Sequence, residues 1–250
     1  MQMLFMGQVA RDASQPWTKE DAFQGDLARG RLALSDGASE SFDSRTWASL
    51  VTSHYVACPR IDREWARTVI AAYTSQVDLG VLTWSKRAAF ERGSFATLLG
   101  VGYDATQDEL DVVAIGDSLA VLADGETFAQ SFPYRRADEF SQRPELISTN
   151  DALNDFLDAP DLWDRHRMTW SLAGRRAPVL LCMTDALAHW CLTEAERGWP
   201  VWQTLVGLRE PDALDRLVAH ARASNRMRPD DVTLVTIAFA GRDTGDLSNP

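Results

Sequence analysis

Three short apolar runs in this chain stop on an aspartate, and that recurrence constrains the fold more than any other feature. Leu32-Ala33-Leu34-Ser35 leads into Asp36-Gly37, Val112-Val113-Ala114-Ile115-Gly116 into Asp117, and Val179-Leu180-Leu181-Cys182-Met183-Thr184 into Asp185. An acidic pair, Asp230-Asp231, stands immediately before the run Val232–Phe239, and Glu20-Asp21 opens the short stretch Ala22-Phe23. The runs are short and β-rich and read as strands. Taken singly, each aspartate is a turn or cap residue, a role that suits Asp at a strand end. Their recurrence carries more, because carboxylates gathered at one rim of a sheet repel each other unless a cation neutralises them. Oxygen donors of this kind suit Mg²⁺ or Mn²⁺, and Gly37 would let a backbone carbonyl approach the ion closely.

The remaining pattern gives the layers. Strands are predicted at Arg31–Leu34, Ala96–Gly102, Leu110–Ile115, Leu119–Leu122, Val179–Met183 and Thr233–Phe239. Gly100–Tyr103, a polar Asp104–Glu109 connection and Leu110–Ile115 read as a hairpin, hence as antiparallel pairing. Apolar residues at three- and four-residue steps predict helices over Arg45–Val56, Arg63–Val77 and Ser85–Arg92. A further helix is predicted over Pro211–Ala223, with Pro211 at its start. Leu146–Arg176 is polar, rich in Asp and Trp, and lacks a period, so an irregular excursion is expected there; Gly241–Pro250 reads as a tail. This order implies layered α/β packing rather than a parallel doubly wound sheet. No glycine-rich phosphate loop follows a strand, which disfavours a Rossmann or P-loop nucleotide site.

Composition excludes some partners. With 36 acidic and 25 basic residues among 250, the net charge is −11. Nucleic acid and anionic membranes both require a positive face, so neither is expected as a partner. No window approaches the ~20 apolar residues of a membrane span. The start, MQMLFMGQVA, has no basic flank, so no signal peptide is expected and the expected location is the cytoplasm. Cys58, Cys182 and Cys191 have no metal-ligand spacing, and Cys182 reads as a reduced core residue.

The acidic motifs, taken in order, resemble those of the type 2C metal-dependent Ser/Thr protein phosphatases, and the match is nearest to the shorter, divergent bacterial members. Glu20-Asp21 is similar to that family's N-terminal Glu-Asp motif, and Asp36-Gly37 to its Asp-Gly motif. Gly93-Ser94-Phe95-Ala96-Thr97 resembles the Gly-Ser/Ala-Thr strand opening, Gly116-Asp117-Ser118 the Gly-Asp-Ser motif, and Thr184-Asp185 the Thr-Asp-Gly motif. Asp230-Asp231-Val232-Thr233 resembles Asp-Asn/Asp-Val-Thr. The resemblance spans nearly the whole chain. It implies an α/β fold, a four-layer αββα sandwich with two central antiparallel sheets, as one domain over residues 1–240 with a flap near 146–176. It also implies that Asp36, Gly37, Asp185 and Asp230 hold a pair of Mn²⁺ or Mg²⁺ ions. Glu20 and Asp21 would support the second ion and its waters, and Asp117 would serve a third. Asp36 and Asp21 would be catalytic, Asp36 by bridging the ions and Asp21 by orienting water. Two ions so bridged would acidify a shared water to a hydroxide near neutral pH, which attacks the phosphate in line. The implied partners are a phosphorylated protein substrate and a Ser/Thr kinase.

The sequence also departs from that pattern. Pro16 stands where an Arg often grips substrate phosphate, Ala38-Ser39 where His-Gly follows Asp-Gly, Ala186 where Gly follows Thr-Asp, and Leu119 where Arg follows Gly-Asp-Ser. Arg11, Arg45 or an arginine of the 146–176 segment is available as a substitute. These losses support an alternative: a regulatory or binding module of the same fold, weak or inactive in turnover, that recognises a phosphoprotein or a kinase. Trp163 and Trp170 are candidate flap contacts, although a structural role is the default for a Trp. Gly116-Asp117-Ser118-Leu119 also spells the block of a serine esterase family, but none of His54, His166, His189 and His220 stands three residues after an Asp to activate Ser118. His189-Trp190-Cys191 matches no zinc spacing, and His189 is expected to be buried or half-buried.

Overall fold

The computed structural model describes residues 1–39 and 41–239; the expected tail at 241–250 lies outside them. In chain order the elements are β1 (Gln2–Val9), β2 (Ala22–Asp26), β3 (Arg31–Ser35), α1 (Ser44–Ala57), α2 (Arg63–Thr74) and α3 (Trp84–Arg92). Next come β4 (Phe95–Ala96), β5 (Leu98–Asp104), β6 (Glu109–Ile115), β7 (Leu119–Asp124), β8 (Thr127–Phe132), β9 (Ile147–Ser148), α4 (Leu162–His166) and β10 (Arg167–Ser171). The chain continues with β11 (Pro178–Met183), α5 (Asp185–Glu196), α6 (Val201–Val206), α7 (Ala213–Ala223) and β12 (Val232–Ala238).

Two antiparallel five-stranded sheets form, in the orders β1-β12-β11-β7-β8 and β10-β6-β5-β3-β2. Alternation along the strands determines what each face covers. Leu32 and Leu34 of β3, Leu99 and Val101 of β5, and Leu110 and Val112 of β6 point into one buried layer. They meet Ala120 and Leu122 of β7, Leu180 and Cys182 of β11, and Val235 and Ile237 of β12 there. The opposite face of the first sheet, with Val121, Leu181 and Leu234, packs against α5, α6 and α7. Ala33, Leu98, Val113 and Ile115 of the second sheet pack against α1 and α2. Both faces of each sheet are therefore covered, which is why the central strands read as unbroken apolar runs. The result is the four-layer αββα arrangement.

The predicted hairpin is β5–β6, paired from Leu98–Ile115 to Asp104–Glu109. Three differences from expectation have physical causes. β1 and β8 escaped the sequence reading because both are edge strands, with only one neighbour and little need for an apolar pattern on both faces. The run expected as one strand over Ala96–Gly102 breaks at Thr97, where the backbone leaves β9 to bond the chain after β3. The segment 146–176 is irregular only in its first part. β10 is a regular edge strand, and Trp170 on it is 2% exposed within the layer between the sheets, so it is a core residue and not a flap contact.

Candidate metal centre

The strand ends deliver the aspartates to one place. Just beyond β3, Asp36 is locked to the strand break, its N–H donating to Thr97 Oγ1 at 2.8 Å while Thr97 N–H donates to Asp36 O at 2.9 Å. Gly37 is needed by close approach: a Cβ there would lie 2.7 Å from the Ser44 carbonyl oxygen, which is backbone and cannot yield. Gly116, at φ 106°, turns the chain from β6 in one sheet to β7 in the other, and a Cβ would lie 2.5 Å from Thr97 Cγ2. The Gly-Asp-Ser block is thus a crossover between sheets. Ser118 is buried there, its hydroxyl 3.0 Å from that of Thr97, which leaves it no esterase role. Asp185 opens α5, where the helix dipole favours an anion, and Asp230 stands in the loop two residues before β12. Asp36, Gly37, Asp117, Asp185 and Asp230 line one cleft of about 160 Å³, together with Ala38, Ser39 and Thr97.

Glu20 and Asp21 are not in that lining; they stand behind it. Asp21 Oδ2 accepts from Thr233 Oγ1 at 2.6 Å and Thr184 Oγ1 at 3.1 Å, and among the described residues Asp21 Oδ1 has no partner. Burial pushes its carboxyl up to about 7 against those hydroxyl bonds, with repulsion from Asp231 and Asp230 adding to it. Asp36 is held well above the carboxylate range by burial and then by Asp21 and Asp117. Asp117 is also raised by burial, while Arg228 pulls the other way. Glu20 accepts from Ser44 Oγ. Asp231 serves the backbone instead. It accepts from the N–H groups of Arg11 and Glu20, each at 2.7 Å, and so braces the β1–β2 connection against β12.

Sequence reasoning missed Arg228. Its Nη2 pairs with Asp185 Oδ2, and its Nε lies 3.8 Å from Asp230 Oδ2. The signal available was its position two residues before an aspartate already singled out. Among the described residues, no group of three or more His, Cys, Asp or Glu side chains is arranged to hold a metal ion as it stands. The donor chemistry nevertheless fits a hard cation. Four aspartates converge on one cleft, and Asp185 Oδ1, like Asp21 Oδ1, is buried without a partner among the described residues. A cluster this short of positive charge is the state a divalent ion would relieve.

Of the arginines proposed for gripping phosphate, Arg11 reaches the cleft. Its Nη1 donates to Ser39 Oγ at 3.2 Å and its Nη2 lies 3.8 Å from Glu20. Arg45 is spent on the Trp17 carbonyl at 2.7 Å. In the 146–176 segment, Arg165 pairs with Glu145 and Asp161, and Arg167 with Asp111. Trp163 is 42% exposed, with the Arg167 guanidinium 5.6 Å from its ring. His189 is exposed, contrary to expectation, because it lies on the outer face of α5.

No protein-family profile matches the chain, and comparison with curated proteins finds no relative by sequence. Solved structures do match over nearly the full length. A bacterial serine phosphatase superposes with a TM-score of 0.59 at 14% identity, over 95% of this chain and 98% of its own. The serine/threonine phosphatase PstP/Ppp of Mycobacterium tuberculosis gives 0.54 at 17% identity, over 94% and 98%. Stp1 of Staphylococcus aureus, also a serine/threonine phosphatase, gives 0.58 at 14% identity, over 96% of each chain. The chain therefore has the fold of the bacterial metal-dependent Ser/Thr protein phosphatases, in a divergent version.

Proposed function

We propose that this chain is a phosphoprotein phosphatase that hydrolyses phosphoserine and phosphothreonine and depends on Mn²⁺ or Mg²⁺. The observation that carries this reading is the convergence of Asp36, Asp117, Asp185 and Asp230 on one cleft beside Gly37, with the buried Asp185 Oδ1 and Asp21 Oδ1 lacking partners among the described residues. Asp36, Gly37, Asp185 and Asp230 are the residues that would hold a metal pair, Glu20 would support it from behind, and Asp117 is available to a third ion. Ions bound there would supply a water acidified toward neutral pH and a counter-charge for the phosphate. Asp21, held to Thr184 and Thr233 through one carboxylate oxygen, is the residue that would orient that water. Arg11, at the lip of the cleft beside Ser39, would grip the phosphate in place of the residue lost at Pro16.

A phosphorylated protein is the substrate on this reading, and the kinase that made it is the natural partner. A cytoplasmic setting suits such a substrate, and no described helix is long and apolar enough to cross a membrane. The contact of Arg228 with Asp185 favours one second reading, a module that binds phosphoproteins without turnover. Phosphate release separates the two. The experiment is hydrolysis of a phosphothreonine peptide and an aryl phosphate with and without Mn²⁺, beside Asp36→Asn. Mn²⁺-dependent release that the variant loses supports the phosphatase; no release from either protein supports the binding module.

A further inference from the structure

Arg228 is held where it is by the loop around it rather than lying by chance at the surface. The residue before it, Met227, is buried in the core under α5 and α7. Arg226 is fixed from one side by Glu194, at 2.9 Å, and rests 4.9 Å from the Trp199 ring. Arg222 of α7 holds the carbonyls of Asp230 and Ala10, which ties the far end of the loop to β1. Pro229 follows directly and restricts the backbone between Arg228 and Asp230. The loop is thus pinned at both ends, and the side chain between them lies across Asp185 and Asp230.

We infer that Arg228 is a positioning residue for the metal centre: a tethered cation that holds Asp185 and Asp230 together and must leave before a divalent ion can use them. This rests on the proposed metal-dependent function and adds to it a residue that sets how tightly metal binds. The geometry allows exchange. Arg228's side chain is 46% exposed, whereas Asp185's is 10% exposed, so the guanidinium can swing into water while the carboxylate stays in place. A guanidinium is also a weak rival for hard oxygen donors, since it offers hydrogen bonds where an ion takes the lone pairs directly. Its charge would repel an arriving cation as well as block it. Its charge also reaches Asp117, a third carboxylate of the same cleft, and opposes the rise that burial imposes there.

The test is calorimetric titration of Mn²⁺ into the full chain and into Arg228→Gln, Arg228→Ala and Arg228→Lys, with melting curves in EDTA and in Mn²⁺. Gln keeps much of the stem and loses the charge, which guards against a variant that fails by misfolding. The expected result is about tenfold tighter Mn²⁺ binding by Gln and Ala, on the order of 1.4 kcal/mol, with Lys near the parent. In EDTA the Gln and Ala variants should melt below the parent, and Mn²⁺ should raise them more than it raises the parent. A residue that merely supported the fold would lower both melting temperature and metal affinity. Equal or weaker Mn²⁺ binding by folded Arg228→Gln overturns this inference and leaves the functional reading intact. Tighter binding without phosphate release supports the inference and overturns the phosphatase. Absence of Mn²⁺ binding in every variant overturns both.

Discussion

Asp185 and Glu194 lie at opposite ends of the same helix, α5, and each faces an arginine from the same loop. Glu194 is 1% exposed, and both its oxygens are filled, one by Arg197 and one by Arg226, each at 2.9 Å. It sits near the helix C-terminus, where the dipole disfavours an anion, so two cations are needed to hold it. Asp185 sits at the N-terminus, where the dipole already favours it. It keeps one oxygen on Arg228 and leaves the other buried with no partner among the described residues. The first arrangement is closed and the second is open. A carboxylate whose bonds are all made is a strut; one left short in a cleft with three more aspartates is a place for something to bind.

Substituting the two residues separates these roles, and the largest effect is expected at the open one. Asp185→Asn should lower Mn²⁺-dependent hydrolysis by a hundredfold or more, about 2.7 kcal/mol or beyond in transition-state terms. It should leave the melting temperature in EDTA within a few degrees of the parent. Glu194→Gln should do the reverse, costing about 2 kcal/mol in urea unfolding, with turnover per folded molecule kept. The full cost of breaking a buried pair is discounted here because Arg197 is well exposed and recovers water. If the Asn variant unfolds and the Gln variant loses turnover, the contrast between the two ends of α5 is reversed.

A smaller effect concerns pH. Asp21 moves from an ordinary 3.8 to about 7 in the folded chain, so between those values the folded state holds more protons than the unfolded one. Stability without metal should therefore fall as pH rises from about 4 to about 7 and level off above that. Asp36, raised in the same direction, adds to the slope. Saturating Mn²⁺ binds the ionised carboxylates and should flatten or reverse it. Urea midpoints at pH 5 and pH 8, in EDTA and in Mn²⁺, measure this directly. A metal-free protein that is more stable at pH 8 than at pH 5 would show that the cluster is not short of positive charge.

The sandwich was legible because its central strands are covered on both faces and so write unbroken apolar runs into the chain. β3, β6, β7, β11 and β12 all announced themselves in this way. The edges did not: β1 and β8 each pair with one neighbour, and β10 hides in a polar stretch because only Trp170 and the adjoining Leu172 commit fully to the core. The aspartates at the strand ends could be read singly, and antiparallel order with sheet crossing brings them to one cleft. Three residues sit in or beside motifs that could be read, but their roles could not. Thr97 joins Asp36 to the Gly116–Ser118 crossover through its hydroxyl, a role that depends on a strand break no periodicity marks. Arg228 matters through where a pinned loop aims it, and Asp231 through the two backbone N–H groups it happens to meet.

Everything proposed for this chain depends on the carboxylate cleft being built short of positive charge, for a divalent cation to complete. Titration of Mn²⁺ into the metal-free full chain, with Asp36→Asn measured beside it, puts that to the test without relying on turnover. Saturable binding of at least one ion by the parent is expected, with its loss, or weakening by more than tenfold, in the variant. Absence of binding by the folded parent, or equal binding by the two proteins, would contradict it.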